Sequence, residues 1–123
     1  MNRPELSQLT NADLVRRFAE AAKKRGLAVL DNNVRNANRM FQCMDAVDSV
    51  LRARGLEARK AALPLLDSED RFVRYFSAKR LLGIAPSQAR AIIEWNYAHG
   101  FDAVAFDAGM TLSNLDSGVF KPD

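Results

Sequence analysis

The chain has 123 residues, 48% of them hydrophobic and 27% charged, with six Gly and four Pro. That length fits one domain with one sizeable core, and the composition is that of a globular protein rather than a disordered one. The net charge is +3; the single cysteine excludes an intramolecular disulfide and a thiolate metal cluster, and no apolar run is long enough for a signal peptide or a membrane span.

The charge is unevenly spread. Residues 1–62 hold 12 Lys and Arg against 7 Asp and Glu, a balance of +5, while residues 63–123 hold 6 against 8, a balance of −2. A basic half can serve an acidic partner or a nucleic acid, or it can be the solvated faces of long helices.

Taken in order, the first strong element opens at Thr10, with Asp13 three residues on in the manner of a capping box. Leu14, Phe18, Ala21 and Ala22 follow at helical spacing, with Arg16, Arg17, Glu20, Lys23 and Lys24 outward. Gly26 falls in register on the apolar stripe, which predicts one helix to about Leu30 in which Gly26 admits a close neighbour. Asp31, Asn32 and Asn33 form a turn, and Asn33 caps a second helix over Val34 to Arg54. Two stripes run along it, one through Val34, Ala37, Phe41, Met44 and Leu51, the other through Met40, Cys43, Val47 and Val50. Cys43 therefore reads as a core residue. Gly55 supplies the left-handed stop.

A short third helix is expected over Glu57 to Leu66, bent by Pro64, and a fourth over Arg71 to Leu82 after the acidic turn from Asp67 to Asp70. Phe72 or Val73, with Phe76, Leu81 and Leu82, should be buried there. Ser87 reads as the cap of a fifth helix ending at His99, with Ala89, Ile92, Ile93 and Tyr97 inward and Trp95 partly exposed. A sixth carries Phe101, Val104, Ala105, Ala108, Leu112 and Leu115. Residues 1–9 and 117–123 read as flexible tails of a single helical domain spanning 1–123. No segment alternates with period two, so no sheet is expected. The fold class is all-α: about six helices in three antiparallel pairs.

The block Leu63-Pro64-Leu65-Leu66-Asp67-Ser68-Glu69-Asp70, followed by Val73-Arg74, Ser77-Ala78 and Leu81-Leu82, resembles a HEAT repeat. In such stacks the arginine of the Val-Arg pair holds turn carboxylates, so Arg74 is expected to pair with Asp70 or Asp67. Asn38-Arg39-Met40-Phe41, Arg52-Ala53-Arg54-Gly55 and Asp107-Ala108-Gly109-Met110-Thr111-Leu112 complete a wider pattern. With them the chain resembles a bacterial domain-of-unknown-function family, number twenty-nineteen. The resemblance implies a short α-α superhelix and no activity. Gly26 departs from the pattern, at a place where a polar, helix-favouring residue is expected.

Catalytic chemistry is not in evidence. His99 and Cys43 alone cannot assemble a zinc site, Asp45 and Asp48 read as solvated acids, and no phosphate-binding loop or Gly-x-Ser-x-Gly occurs. The expectation is a cytoplasmic, non-enzymatic protein-protein interaction module or small adaptor, of the immunity or antitoxin kind, without cofactor or metal, able to self-associate. The alternative is a nucleic-acid-binding helical repeat that uses the basic faces of the N-terminal half. Arg16, Lys23, Arg52, Arg59 and Trp95 are the candidate partner-binding residues.

Overall fold

The computed structural model describes residues 3–100 and 102–123, and all its regular elements are helical. They are α1 (Arg3–Ser7), α2 (Asn11–Leu30), α3 (Val34–Arg54), α4 (Leu56–Lys60), a 3-10 turn (Leu63–Asp67), α5 (Arg71–Leu81), α6 (Pro86–His99) and α7 (Ala103–Asp116). The expectation for Phe101 lies outside the described residues.

The helix ends follow local chemistry. Thr10 accepts the Asp13 backbone N–H through its hydroxyl at 3.1 Å, and Asn33 accepts that of Asn36 at 3.1 Å. Asp70 accepts from Phe72 and Val73, and Asp102 from Val104 and Ala105, so each anchors the positive end of a helix. Gly55 has φ 106° and ψ −173°, a conformation open to glycine, and it serves at once as the end of α3 and the start of α4.

Three boundaries differ from expectation. The third helix is not continuous: α4 ends at Lys60, and Pro64 sits in the first turn of a separate 3-10 segment, where its missing N–H costs nothing. Ser87 does not cap. Here a proline takes the first helical position, so α6 begins at Pro86 with Ala85 before it. Finally, part of the expected N-terminal tail is helical, and Leu6 of α1 is buried against the core.

One core runs through every helix, with Leu6, Leu14, Met44, Ala58, Tyr75, Ile93 and Val104 among its members. Helix α2 packs most heavily on α3 and also against α5 and α7, while α6 lies between α5 and α7. Packing is tight at Gly26. A Cβ there would stand 2.0 Å from Cγ of Phe72, so the ring of α5 lies directly on the bare backbone of α2. Ser77 and Ala78, also fully buried, keep the α5 surface shallow.

The two-stripe reading of α3 is half right. Ala37, Met44, Val47 and Leu51 are buried, but Cys43 is exposed, Phe41 is 44% exposed and Val34 lies open. Successive helical residues are about 100° apart, and with α2 as its main neighbour α3 turns Cys43 outward. Leu30 and Tyr97 are exposed for a similar reason, each lying at the edge of its helix's buried stripe. Tyr97 instead covers Gly109, where a Cβ would come within 2.8 Å of its ring.

Candidate binding cleft

A cleft of about 580 Å³ opens where α2, α3, α5 and α7 come together. The volume lies within the ordinary range of ligand sites. Each helix contributes through its own periodicity: Arg25 and Val29 from α2, Phe41 and Met44 from α3, Tyr75, Lys79 and Arg80 from α5, Asp107 and Met110 from α7. Phe106 is 71% exposed and Met110 is 52% exposed, so the α7 wall offers apolar surface to solvent.

Cations line this wall and floor, and nearly all have carboxylate partners. Lys79 Nζ lies 2.8 Å from Asp107, which also accepts the Tyr75 hydroxyl. Tyr75 is fully buried, and burial together with that carboxylate pushes its pKa well above the usual phenol value. Arg80 bonds Asp45 at 2.9 Å and Asp48 at 3.2 Å. Arg52 bonds Asp48 at 2.8 Å and Asp123 at 2.6 Å. Burial lowers the Arg52 pKa, but these two carboxylates outweigh it and leave it above the ordinary arginine value. Asp48 is only 8% exposed and ties α3 to α5. Asp48 is therefore a buried ion-pair partner rather than a solvated acid, while Asp45 is exposed as expected and pairs with Arg80. Among the described residues no group of His, Cys, Asp and Glu is arranged to hold a metal.

Arg25 is different. Its Nη1 donates to the Ala37 carbonyl at 2.6 Å, and its guanidinium lies 5.0 Å from the ring centre of Phe41 and 5.5 Å from that of Phe76. No carboxylate lies within ion-pair distance of it among the described residues. Burial lowers its pKa; Asp107 nearby pulls it up, and Arg80 pushes it down again. An arginine starts from so high a value that it stays cationic at neutral pH. The result is a fixed, charged fork in a partly desolvated cleft, held by rings and a carbonyl.

The five residues expected to bind a partner do not converge. Arg52 and Arg59 come together: both donate to the Arg80 carbonyl, and Arg59 also bonds the Asp123 backbone oxygen at 2.8 Å. Arg16 pairs with Asp13 on its own helix, and Lys23 points to solvent. Trp95 is 47% exposed and stacks on His99 at 4.8 Å, apart from the cleft. Arg74 does not pair with Asp70 or Asp67 as expected but binds backbone carbonyls, Ser68 at 2.7 Å and Glu69 at 3.0 Å, while Asp70 caps α5 and Asp67 accepts Gln88. Arg25 was not among the candidate residues read from the sequence. Its spacing, three residues after Ala22, four after Ala21 and seven after Phe18, places it beside the buried stripe and was the available signal.

The sequence profile of a domain of unknown function, DUF2019, matches residues 12–116. The chain belongs to the DUF2019 family. Among solved structures, it is similar to the protein RPA1889 from Rhodopseudomonas palustris CGA009, with 37% identity and a TM-score of 0.87 over 96% of this chain and 98% of that one. No curated protein matches. This DUF2019 chain has no described helix long and apolar enough to cross a membrane.

Proposed function

We propose that this DUF2019 protein is a non-enzymatic interaction module, a small adaptor of the immunity or antitoxin kind, that seats an acidic segment of a partner protein in the cleft. The observation that carries this reading is Arg25, a cation held in place by Phe41, Phe76 and the Ala37 carbonyl and left without a carboxylate. Keeping a charged fork partly desolvated and unpaired is costly, and an incoming carboxylate makes the strong, charge-assisted bonds that offset it. Exposed Phe106 and Met110 alongside supply the apolar contact area that anchors an interface.

The finer architecture in this reading is a short HEAT-like superhelix of antiparallel pairs, supported by the packing of α2 on α3, of the 3-10 segment on α5 and of α6 on α7. Such stacks serve as binding surfaces. A bacterial cytoplasm, where an exposed thiol such as Cys43 stays reduced, is the matching location. The nucleic-acid alternative has weaker support, because Arg52, Arg59 and Arg80 are engaged with Asp48, Asp123, Asp45 and a backbone carbonyl.

The test is selection of displayed random peptides on the full chain, followed by affinity measurement against Arg25→Met and Phe106→Ala. Selected peptides are expected to be rich in Asp and Glu and to bind Arg25→Met about tenfold or more weakly, the loss of one charge-assisted contact. Peptides that bind both variants as well as the parent, or that carry no acidic bias, would sink the reading.

A further inference from the structure

The chain already lays one segment across the end of its own cleft. After α7 the backbone turns at Gly118, φ 78°, and the Phe120 N–H donates to the Asn114 carbonyl at 3.0 Å. Phe120 then lines the cleft. Three residues on, the Asp123 carboxylate takes the Arg52 guanidinium at 2.6 Å, and its backbone oxygen takes Arg59 at 2.8 Å. Gly83 leaves room for this approach, since a Cβ there would be 2.2 Å from the Asp123 carbonyl carbon. An aromatic ring in the cleft and a carboxylate on a neighbouring arginine are thus delivered by one short stretch of chain.

We propose that the cleft recognises partner segments with an aromatic residue followed about three positions later by a carboxylate, and that residues 120–123 are an internal copy of that ligand which the partner displaces. This rests on the interaction-module reading and gives it a ligand pattern. Charge complementarity and the resident segment are its two supports. Displacement is feasible because Asp123 is exposed, and an exposed ion pair holds a segment weakly. Pro122 next to Asp123 narrows the conformations that the segment samples when released. A partner segment has a further contact available to it, a second acid on Arg25, which residues 120–123 leave unpaired.

The probe is a fluorescein-labelled heptapeptide with the sequence of residues 117–123, titrated by anisotropy into the full chain and into the double variant Phe120→Ala, Asp123→Asn. The double variant is expected to bind it at least fivefold tighter than the parent. Peptides with the Phe changed to Ala or the Asp to Asn are expected to bind at least fivefold more weakly. Should removal of Phe120 disturb the core, Asp123→Asn alone tests the same release from an exposed position, with a smaller gain expected. Equal affinity for parent and variant, or indifference to the peptide's Phe and Asp, would overturn the proposal. Selected peptides that depend on Arg25 but lack the aromatic-to-acid spacing would overturn it too, while leaving the interaction-module reading intact. A selection yielding no Arg25-dependent peptide overturns both.

Discussion

Single residues in this protein are decided by what faces them across an interface. Gly26 is the clearest instance. Alanine is the better helix former by about 1 kcal/mol, so an isolated α2 would gain from Gly26→Ala. In the folded chain the new methyl would meet the Phe72 ring at 2.0 Å. Overpacking of that kind costs about 1–3 kcal/mol, so the variant is expected to melt lower than the parent. Adding Phe72→Leu should recover part of the loss, a coupling that thermal denaturation of both singles and the double would measure. Additive losses would mean the two residues do not meet as described. Cys43 shows the opposite situation. Its neighbours in sequence suggested burial, and only the direction in which α3 faces α2 turned it to solvent.

At the scale of elements, ion pairs and caps tie the helices across their packing faces. Asp102 does both, capping α7 through Val104 and Ala105 and bonding Arg71 of α5. Burial alone would raise its pKa, but Arg71 and the two backbone donors outweigh it and hold the carboxyl below the usual aspartate value. A depressed folded pKa contributes stability that is present above the unfolded value, about 3.9, and lost as pH falls through the folded one. Asp102→Asn keeps a good cap but not the charge. It is expected to be less stable than the parent near pH 7 and to converge with it at strongly acid pH, as followed by urea denaturation across that range. A constant difference at all pH values would remove Arg71 from the account. The 3-10 segment makes a related point, since Pro64 was expected to bend a helix and instead sits in the first turn of a separate one.

The whole molecule is organised around one core to which every helix contributes. Unfolding is therefore expected to be a single cooperative transition, with helicity by far-UV circular dichroism and tertiary packing by near-UV circular dichroism falling together. Separate loss of α6 and α7 would show instead that the contacts between α5 and α6 do not couple the two parts. The same arrangement explains the cleft. No helix carries it alone, and Arg25, Phe41, Arg80 and Asp107 are neighbours only because α2 touches α3, α5 and α7 at once.

The sequence by itself determined what is local: the helical periodicities, the caps at Thr10 and Asn33, and the stop at Gly55. These depend on residues a few positions apart, and their physics is complete within a turn or two of chain. Tertiary structure alone decided which of the basic residues are neutralised. Arg52 meets Asp123 across 71 positions and Arg80 meets Asp48 across 32, so charge counting along the chain could not separate them from Arg25. Exposure of Cys43, Tyr97 and Phe106 was settled at the same level, because a helix has apolar residues on more sides than it has neighbours to cover them.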